Sequence, residues 1–268
     1  MARFATRSVY DRAAAGFDLP PLRFWSVLGQ RLVDHARPQP GEHVLDVGCG
    51  TGAATFPAAR AVGPGGRVDA IDLARAATRQ AAARAAALQI DNVRFHCGDL
   101  LRHQTASRYD LTLAAFSLFF VADVQAAVRK LETLTRPAGR AAISFWGEDS
   151  FSPLARLFHE DVAGATPAGA APPTPWTRFT SADAIRAVVD GPGRTTRILS
   201  ECVRFALASP DDWWTVVMHS GFRAFVDPLP ETEQVRLRAR HLARVRERCA
   251  SGLDLHLPVH YALVTFGS

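Results

Sequence analysis

Apolar positions along the chain switch repeatedly between two periods. Leu22, Trp25, Leu28 and Leu32 recur at helical spacing, in a segment opened by Pro20-Pro21 and stopped by Pro38, Pro40 and Gly41. From His43 onward, short β-rich runs alternate with longer helical ones. Strands are predicted at His43–Val47, Arg67–Ile71, Asn92–His96, Tyr109–Ala115 and Arg140–Trp146. Helices are predicted between them at Ala53–Val62, Ala74–Leu88 and Asp123–Leu134. Parallel neighbours need such crossovers, so the alternation predicts βαβ units and a largely parallel sheet.

After Trp146 the rhythm breaks. Residues 147–195 are rich in Pro, Ala and Gly, with helices predicted near 153–163 and 181–190. A sixth strand is predicted at Ile198–Leu207, helices near 210–222 and 230–250, and a last strand at Pro258–Phe266.

Composition narrows the class. With 268 residues, 48% hydrophobic and 21% charged, the chain can bury a large core. No apolar run is long enough to cross a bilayer, and the N-terminus lacks a signal-type apolar core, so the expectation is a soluble cytoplasmic protein. The net charge of +5 is carried almost wholly by arginine, a usage typical of a GC-rich bacterial genome. Arg236, Arg240, Arg244 and Arg248 fall on one helical stripe, with Val235, Leu242, Val245 and Cys249 on an apolar side. This predicts a solvated amphipathic face, not a nucleic-acid site. Cys49, Cys97, Cys202 and Cys249 are widely separated and are expected to be reduced. The triplet His159-Glu160-Asp161 has no ligand spacing on a helix, and no metal is expected.

The candidate chemistry lies at the strand ends. Val44-Leu45-Asp46-Val47-Gly48-Cys49-Gly50-Thr51-Gly52 is an apolar strand running into three alternate glycines, with a helix after them. Glycines there allow a sharp turn and close approach to a ligand. Asp72 ends the next strand, where a carboxylate can accept from both hydroxyls of a ribose. Asp99 follows the third strand and can accept from an exocyclic amine such as that of adenine. Gly48, Gly50 and Ala53 also satisfy the G-x-G-x-x-A pattern of a nicotinamide site. Against that reading, Asp46 and Asp99 add negative charge where phosphates would sit, and Asp46 suits an ammonium-bearing ligand better.

Val44–Gly52 resembles motif I of class I S-adenosylmethionine (SAM)-dependent methyltransferases, and Asp72, Asp99 and Tyr109–Ala115 resemble the next three motifs in order. Arg136-Pro137-Ala138-Gly139-Arg140 is similar to the K-P-G-G-x turn before strand five, with Ala138 in place of a glycine. Tyr10-Asp11-Arg12 with Phe17-Asp18 resembles the opening of the ubiquinone/menaquinone-type small-molecule branch, with Phe17 in place of a tyrosine. The resemblance covers residues 8–146. It implies an α/β, Rossmann-like, seven-stranded sheet, mostly parallel with an antiparallel last strand. It also implies SAM as cofactor and S-adenosylhomocysteine as its product. The organisation expected is a single domain over 1–268, with a helical cover at 1–40, a SAM-binding core at 41–146, substrate-covering insertions at 147–255 and the last strand at 256–268.

By the same resemblance, Asp46 and the backbone of Gly48, Cys49, Gly50 and Gly52 surround the methionine part of the cofactor. Asp72 and Leu73 hold the ribose and flank the adenine, Asp99 and Leu100 read the adenine edge, Phe116 lines the methyl-donor mouth and Tyr10 closes over it. For Cys49 and Leu100, plain packing is the competing reading.

Ligands of a doubly wound sheet bind beyond the carboxyl ends of its strands. Phe119 and Phe120 after strand four, Trp146 after strand five, Trp176 in the insertion, and Trp214 and Met218 after strand six are therefore candidates for the substrate wall. An aromatic wall fits a small, largely apolar, natural-product-like or quinone-like metabolite methylated on O, N or C. Core packing competes for these aromatics, and for Trp213 and Phe225. His219, on an otherwise apolar helix, is the first candidate base, with His159, His256, His260 and Glu148 behind it. Each histidine has a structural reading as well. The alternatives are a SAM-binding enzyme with non-methylating chemistry, an RNA methyltransferase and a non-catalytic SAM-binding module. The expected partner is a small molecule, with no nucleic acid and no membrane span.

Overall fold

The computed structural model describes residues 9, 11–13, 16–17, 19–164, 174–248 and 252–267. Tyr10, Asp18 and Cys249 therefore lie outside the described residues. Seven strands form one sheet: β1 (His43–Val47), β2 (Arg67–Asp72), β3 (Val93–Cys97), β4 (Tyr109–Ala115), β5 (Thr135–Trp146), β6 (Arg194–Ala206) and β7 (Asp254–Phe266). Their order is β3-β2-β1-β4-β5-β7-β6. The pairs β1–β2, β2–β3, β1–β4 and β4–β5 are parallel, and β7 runs antiparallel to both β5 and β6. The expected mostly parallel sheet with a reversed last strand is the one observed. It differs from the 3-2-1-4-5-6 order of the dinucleotide fold by the reversed strand inserted beside β5.

The described helices are α1 (Phe24–Ala36), α2 (Thr55–Val62), α3 (Arg75–Ala87), α4 (Val124–Leu134), α5 (Leu154–Ala163), α6 (Ala182–Val189), α7 (Pro210–Met218), α8 (Arg223–Val226) and α9 (Glu231–Arg248). Local chemistry sets several ends. The Asp123 carboxylate accepts from the Ala126 amide at 2.8 Å at the start of α4, and the Ser181 hydroxyl accepts from Ala184 at the start of α6. In α1, Phe24, Leu28, Leu32 and Ala36 share the buried stripe, and Arg37 ends the helix in the left-handed region. Right-handed crossovers run one way from β1 and the other way from β4, which puts α2 and α3 on one face and α4 on the other. Order reverses between β1 and β4, so the crevice at their carboxyl ends is the natural ligand site.

β6 and β7 are longer than expected and pair over their full 13 residues, from Arg194 opposite Phe266 to Ala206 opposite Asp254. The unbroken polar run Arg194–Arg197 hid the start of β6, an edge strand of the sheet. Helices α5, α7 and α9 pack together as a cap. Its centre is a buried polar chain. The Trp213 indole N–H donates to His241 Nε2 at 2.7 Å, and His241 Nδ1–H donates to the Asp161 carboxylate at 2.7 Å. Arg240 and Arg244 reach Asp161, and Arg244 also pairs with Glu160. The arginine stripe is thus not simply a solvated face, since two of its members join α9 to α5. Val235, expected on the apolar side, is exposed. A helical period cannot distinguish a charged stripe that meets water from one that meets carboxylates.

The turn before the main run of β5 shows what the Ala138 substitution does. Ala138 has φ +58, in the left-handed region, while a Cβ on Gly139 would lie 2.5 Å from Thr135 Cγ2 and 2.8 Å from the Arg136 carbonyl oxygen. Left-handed backbone costs a non-glycine residue roughly 1–2 kcal/mol, partly offset by glycine's extra freedom in the unfolded chain. Ala138→Gly is expected to stabilise the protein by about 0.5–1 kcal/mol and Gly139→Ala to destabilise it by about 1–3 kcal/mol. Urea midpoints check both.

Candidate functional site

A cavity opens at the carboxyl ends of β1, β2 and β4. Its wall includes the Val47–Thr51 turn, Ile71–Ala74, Gly98–Leu100 and Ala115–Leu118, with Phe17 and Trp25 from the N-terminal segment. Three glycines shape the first turn, at φ +69, +53 and +96 for Gly48, Gly50 and Gly52. A Cβ on Gly48 would strike Ser117, and one on Gly52 would strike Phe56. A Cβ on Gly50 would meet nothing within 4 Å. Gly48 and Gly52 are thus required by their neighbours, while Gly50 presents bare backbone to the cavity.

Asp72 ties this turn to the end of β2. One carboxylate oxygen accepts from the Gly50 amide and the other from the Ala74 amide, each at 2.8 Å. Burial pushes its carboxyl up, against those amide bonds. Beside it, Leu73 is 42% exposed, a large apolar side chain facing the cavity. The Asp99 side chain accepts from the Leu101 amide at 3.0 Å. Leu100 is buried but reaches the wall. Cys49 lines the cavity with a thiol pushed well up by burial, which keeps it protonated.

Asp46 sits elsewhere. It is fully buried, takes the Thr55 hydroxyl at 2.6 Å on one oxygen, and has a second oxygen without a partner. It does not line the cavity, whereas its neighbour Val47 does. Side chains alternate along a strand, so Val47 and Asp46 face opposite ways, and Asp46 supports the glycine turn from behind. Burial raises its carboxyl to about 7, opposed by the Thr55 bond and assisted by the charge on Asp72.

A second, smaller cavity adjoins the first. Trp25, Phe116 and Phe120 line both, and Phe119, Trp146, Phe151, Trp176 and Phe222 belong to the second alone. Phe116 stacks on Trp146 with centroids 4.1 Å apart, and Trp25 meets both edge-on. Phe116 adopts φ +49, uncommon for an aromatic residue, with its amide donating to the Ser144 hydroxyl. Arg178 donates to the carbonyls of Val121 and Ala122 and so holds the loop after β4.

Four of the six expected substrate-wall residues, Phe119, Phe120, Trp146 and Trp176, meet around this cavity. Trp214 and Met218 do not line either cavity; Trp214 lies in the cap near Phe158 and His241. Phe225 likewise packs on Phe158 and His159. His219 lies apart from both cavities. Its Nδ1 lies 3.1 Å from the Ala13 carbonyl, it packs against Gly16, and it lines neither cavity. It fastens the N-terminal segment, which accounts for a histidine on an apolar helix. His260 is held by Ser200 and the Thr180 carbonyl, and neither His159 nor His256 nor Glu148 reaches either wall. Trp25, which the sequence marks only as one of the apolar positions at helical spacing, lines both cavities. Among the described residues there is no cluster of potential metal ligands, and no helix is long and apolar enough to cross a membrane.

Residues 38–169 match the family model described as "Methyltransferase domain". Nocamycin O-methyltransferase of Saccharothrix syringae is 38% identical over 137 residues, 51% of this chain and 49% of that protein. Aklanonic acid methyltransferase DauC of Streptomyces sp. (strain C5) is 32% identical over 136 residues, 50% of this chain and 62% of that protein. The chain thus spans about half of the first relative and under two thirds of the second. The YcgJ protein of Bacillus subtilis shares the fold, with a TM-score of 0.58 at 15% identity over 90% of this chain and 98% of that one. Over residues 38–169 the chain thus matches a methyltransferase domain, and over about half its length it is similar to methyltransferases of small molecules.

The buried Asp46 gives a pH signature. A carboxyl whose folded-state pKa is raised from 3.8 to about 7 stabilises the fold less as pH climbs through that window. That rise corresponds to at most about 4 kcal/mol. Asp46→Asn can still accept from Thr55 without carrying a charge. Its stability relative to wild type is expected to be higher at pH 8 than at pH 5, as measured by chemical denaturation of the ligand-free proteins. A pH-independent difference would contradict the assignment.

Proposed function

We propose that this protein transfers a methyl group from SAM to an oxygen of a small, largely apolar, ring-bearing metabolite. The observation that carries the reading is the shared aromatic wall: Trp25, Phe116 and Phe120 line both the glycine-loop cavity and the aromatic cavity beside it. The names of the two relatives, an O-methyltransferase and an aklanonic acid methyltransferase, support an oxygen acceptor of that kind.

The first cavity fits the cofactor. The Asp72 carboxylate, fixed by two amides, suits ribose hydroxyls, and exposed Leu73 offers a flat apolar contact for adenine. Asp99 suits the adenine amine, and the bare Gly50 backbone leaves room for the amino-acid portion. Cys49 acts through its backbone, its thiol being protonated and unsuited to nucleophilic work. Bound SAM supplies an electrophilic methyl group on a sulfonium. The chain's task is to align the acceptor and exclude water, which the ring wall does by filling the space around the junction. Tyr10 remains a candidate for the cover over the cofactor.

The test is incubation with SAM carrying a labelled methyl group and a panel of aromatic hydroxy, enol and carboxylic acids, read by mass spectrometry. A labelled product methylated on oxygen is expected, and SAM binding without any methylated product would argue for non-methylating chemistry. Phe119 lines only the second cavity, so Phe119→Ala is expected to lower turnover by about tenfold or more while leaving SAM affinity within about twofold. Since truncating a buried Phe costs about 3–5 kcal/mol, Phe119→Leu serves as a folded control with a smaller loss in the same direction. Equal loss of turnover and SAM affinity would make Phe119 core.

A further inference from the structure

One corner of the chain serves both cavities. Ser220, Gly221 and Phe222, between α7 and α8, line the aromatic cavity. Asp227, the residue after α8, lines neither cavity. Its carboxylate instead gathers two arginines. Oδ2 accepts from Arg12 Nε at 3.0 Å and from Arg12 Nη2 at 2.5 Å, and Arg223 Nε–H is shared between the two oxygens, at 3.1 and 3.2 Å. Arg223 Nη1 donates in turn to the Met218 carbonyl at 3.2 Å, which ties the cluster back to the end of α7. The Asp227 and Arg223 side chains are only 21% and 19% exposed, so water does not fully screen the cluster.

Arg12 has neighbours that reach the other cavity. Asp11 accepts from the Ala76 amide, in the first turn of α3, at 2.9 Å. Its charge adds to the burial that pushes the Asp72 carboxyl up, which places it close to the glycine-loop rim. The Ala13 carbonyl lies 3.1 Å from His219 Nδ1, and Gly16 lies so close to the same imidazole that a Cβ would come within 2.1 Å of it. Phe17 then stacks on Trp25 with centroids 5.9 Å apart, and both rings line the glycine-loop cavity. From this geometry, and resting on the cofactor reading above, we infer that Asp227 is a positioning residue for the cofactor: by holding Arg12 it keeps Phe17 on the wall of the cofactor cavity and slows release of what is bound there. Asp227 touches neither cofactor nor acceptor. The Arg12–Asp227 bond joins residues 215 apart in the chain, so it fixes the N-terminal segment before a ligand arrives. Binding then no longer carries the cost of ordering that segment. Asp227 and His219, which hold it, flank the residues that line the aromatic cavity, so the two cavities share one anchor.

The experiment is a double-variant cycle on the full chain: wild type, Asp227→Asn, Arg12→Gln and the two together. Each protein is titrated calorimetrically with S-adenosylhomocysteine, and release is timed by stopped-flow displacement with excess sinefungin, a SAM analogue that transfers nothing. Asp227→Asn keeps the shape of the side chain but leaves Arg12 and Arg223 facing each other without the charge between them. Arg12→Gln breaks the same contact from a side chain 47% exposed, and so tests the inference even if Asp227→Asn fails to fold. Each single variant is expected to weaken S-adenosylhomocysteine about fivefold or more, with faster release carrying the change. The double variant is expected to stay within about twofold of the weaker single, because both remove one contact. A folded single variant that binds within about twofold of wild type, losses that multiply in the double variant, or slower association with unchanged release would overturn the inference. Failure of wild type to bind S-adenosylhomocysteine would instead overturn the cofactor reading beneath it.

Discussion

The site depends on one carboxylate. Asp72 ends β2 and spends both oxygens on backbone amides, one from the glycine turn after β1 and one from the start of α3. Without that bridge the turn would have to hold its left-handed glycines unaided. With it, two neighbouring strand ends become a rigid rim, and the bare face of Gly50 is presented to the cavity. Asp46 supports the same rim from beneath, held by Thr55 at the first turn of α2. Asp46 on β1 and Asp72 on neighbouring β2 both resist burial, and the charge on Asp72 adds to the rise at Asp46.

The rest of the fold encloses that rim. The loop after β4 carries Phe116 in a left-handed conformation and is held on its outer side by Arg178. The N-terminal segment is fastened at His219 to the Ala13 carbonyl and at Asp11 to the start of α3, bringing Phe17 and Trp25 over the opening. The cap of α5, α7 and α9 is fixed by its own buried chain from Trp213 through His241 to Asp161. Its polar groups serve packing, which leaves the aromatic cavity almost without polar side chains.

What the sequence revealed was what local pattern encodes. Period changes marked the strands and helices of the first half, because each buries a face set by neighbours in the chain. The glycine turn, Asp72 and Asp99 were legible because a strand end followed by a turn fixes where such groups must lie. Trp25 was not, since a residue in the apolar spacing of α1 reads the same whether it meets other core atoms or lines a cavity. For His219 and the α9 arginines the reason is the converse. Their partners, Ala13 and Asp161, come from distant parts of the chain, and no spacing announces them. Asp46 fell between: its place in the strand was legible, but the face it occupies follows from Val47 lining the cavity.

On the proposed reading, the rim built on Asp72 holds SAM. Calorimetric titration of the purified protein with S-adenosylhomocysteine, with NADH as competitor for the same glycine turn, tests it most directly. One S-adenosylhomocysteine site per chain and no measurable displacement by NADH are expected. No binding of S-adenosylhomocysteine, or tighter binding of NADH, would contradict it.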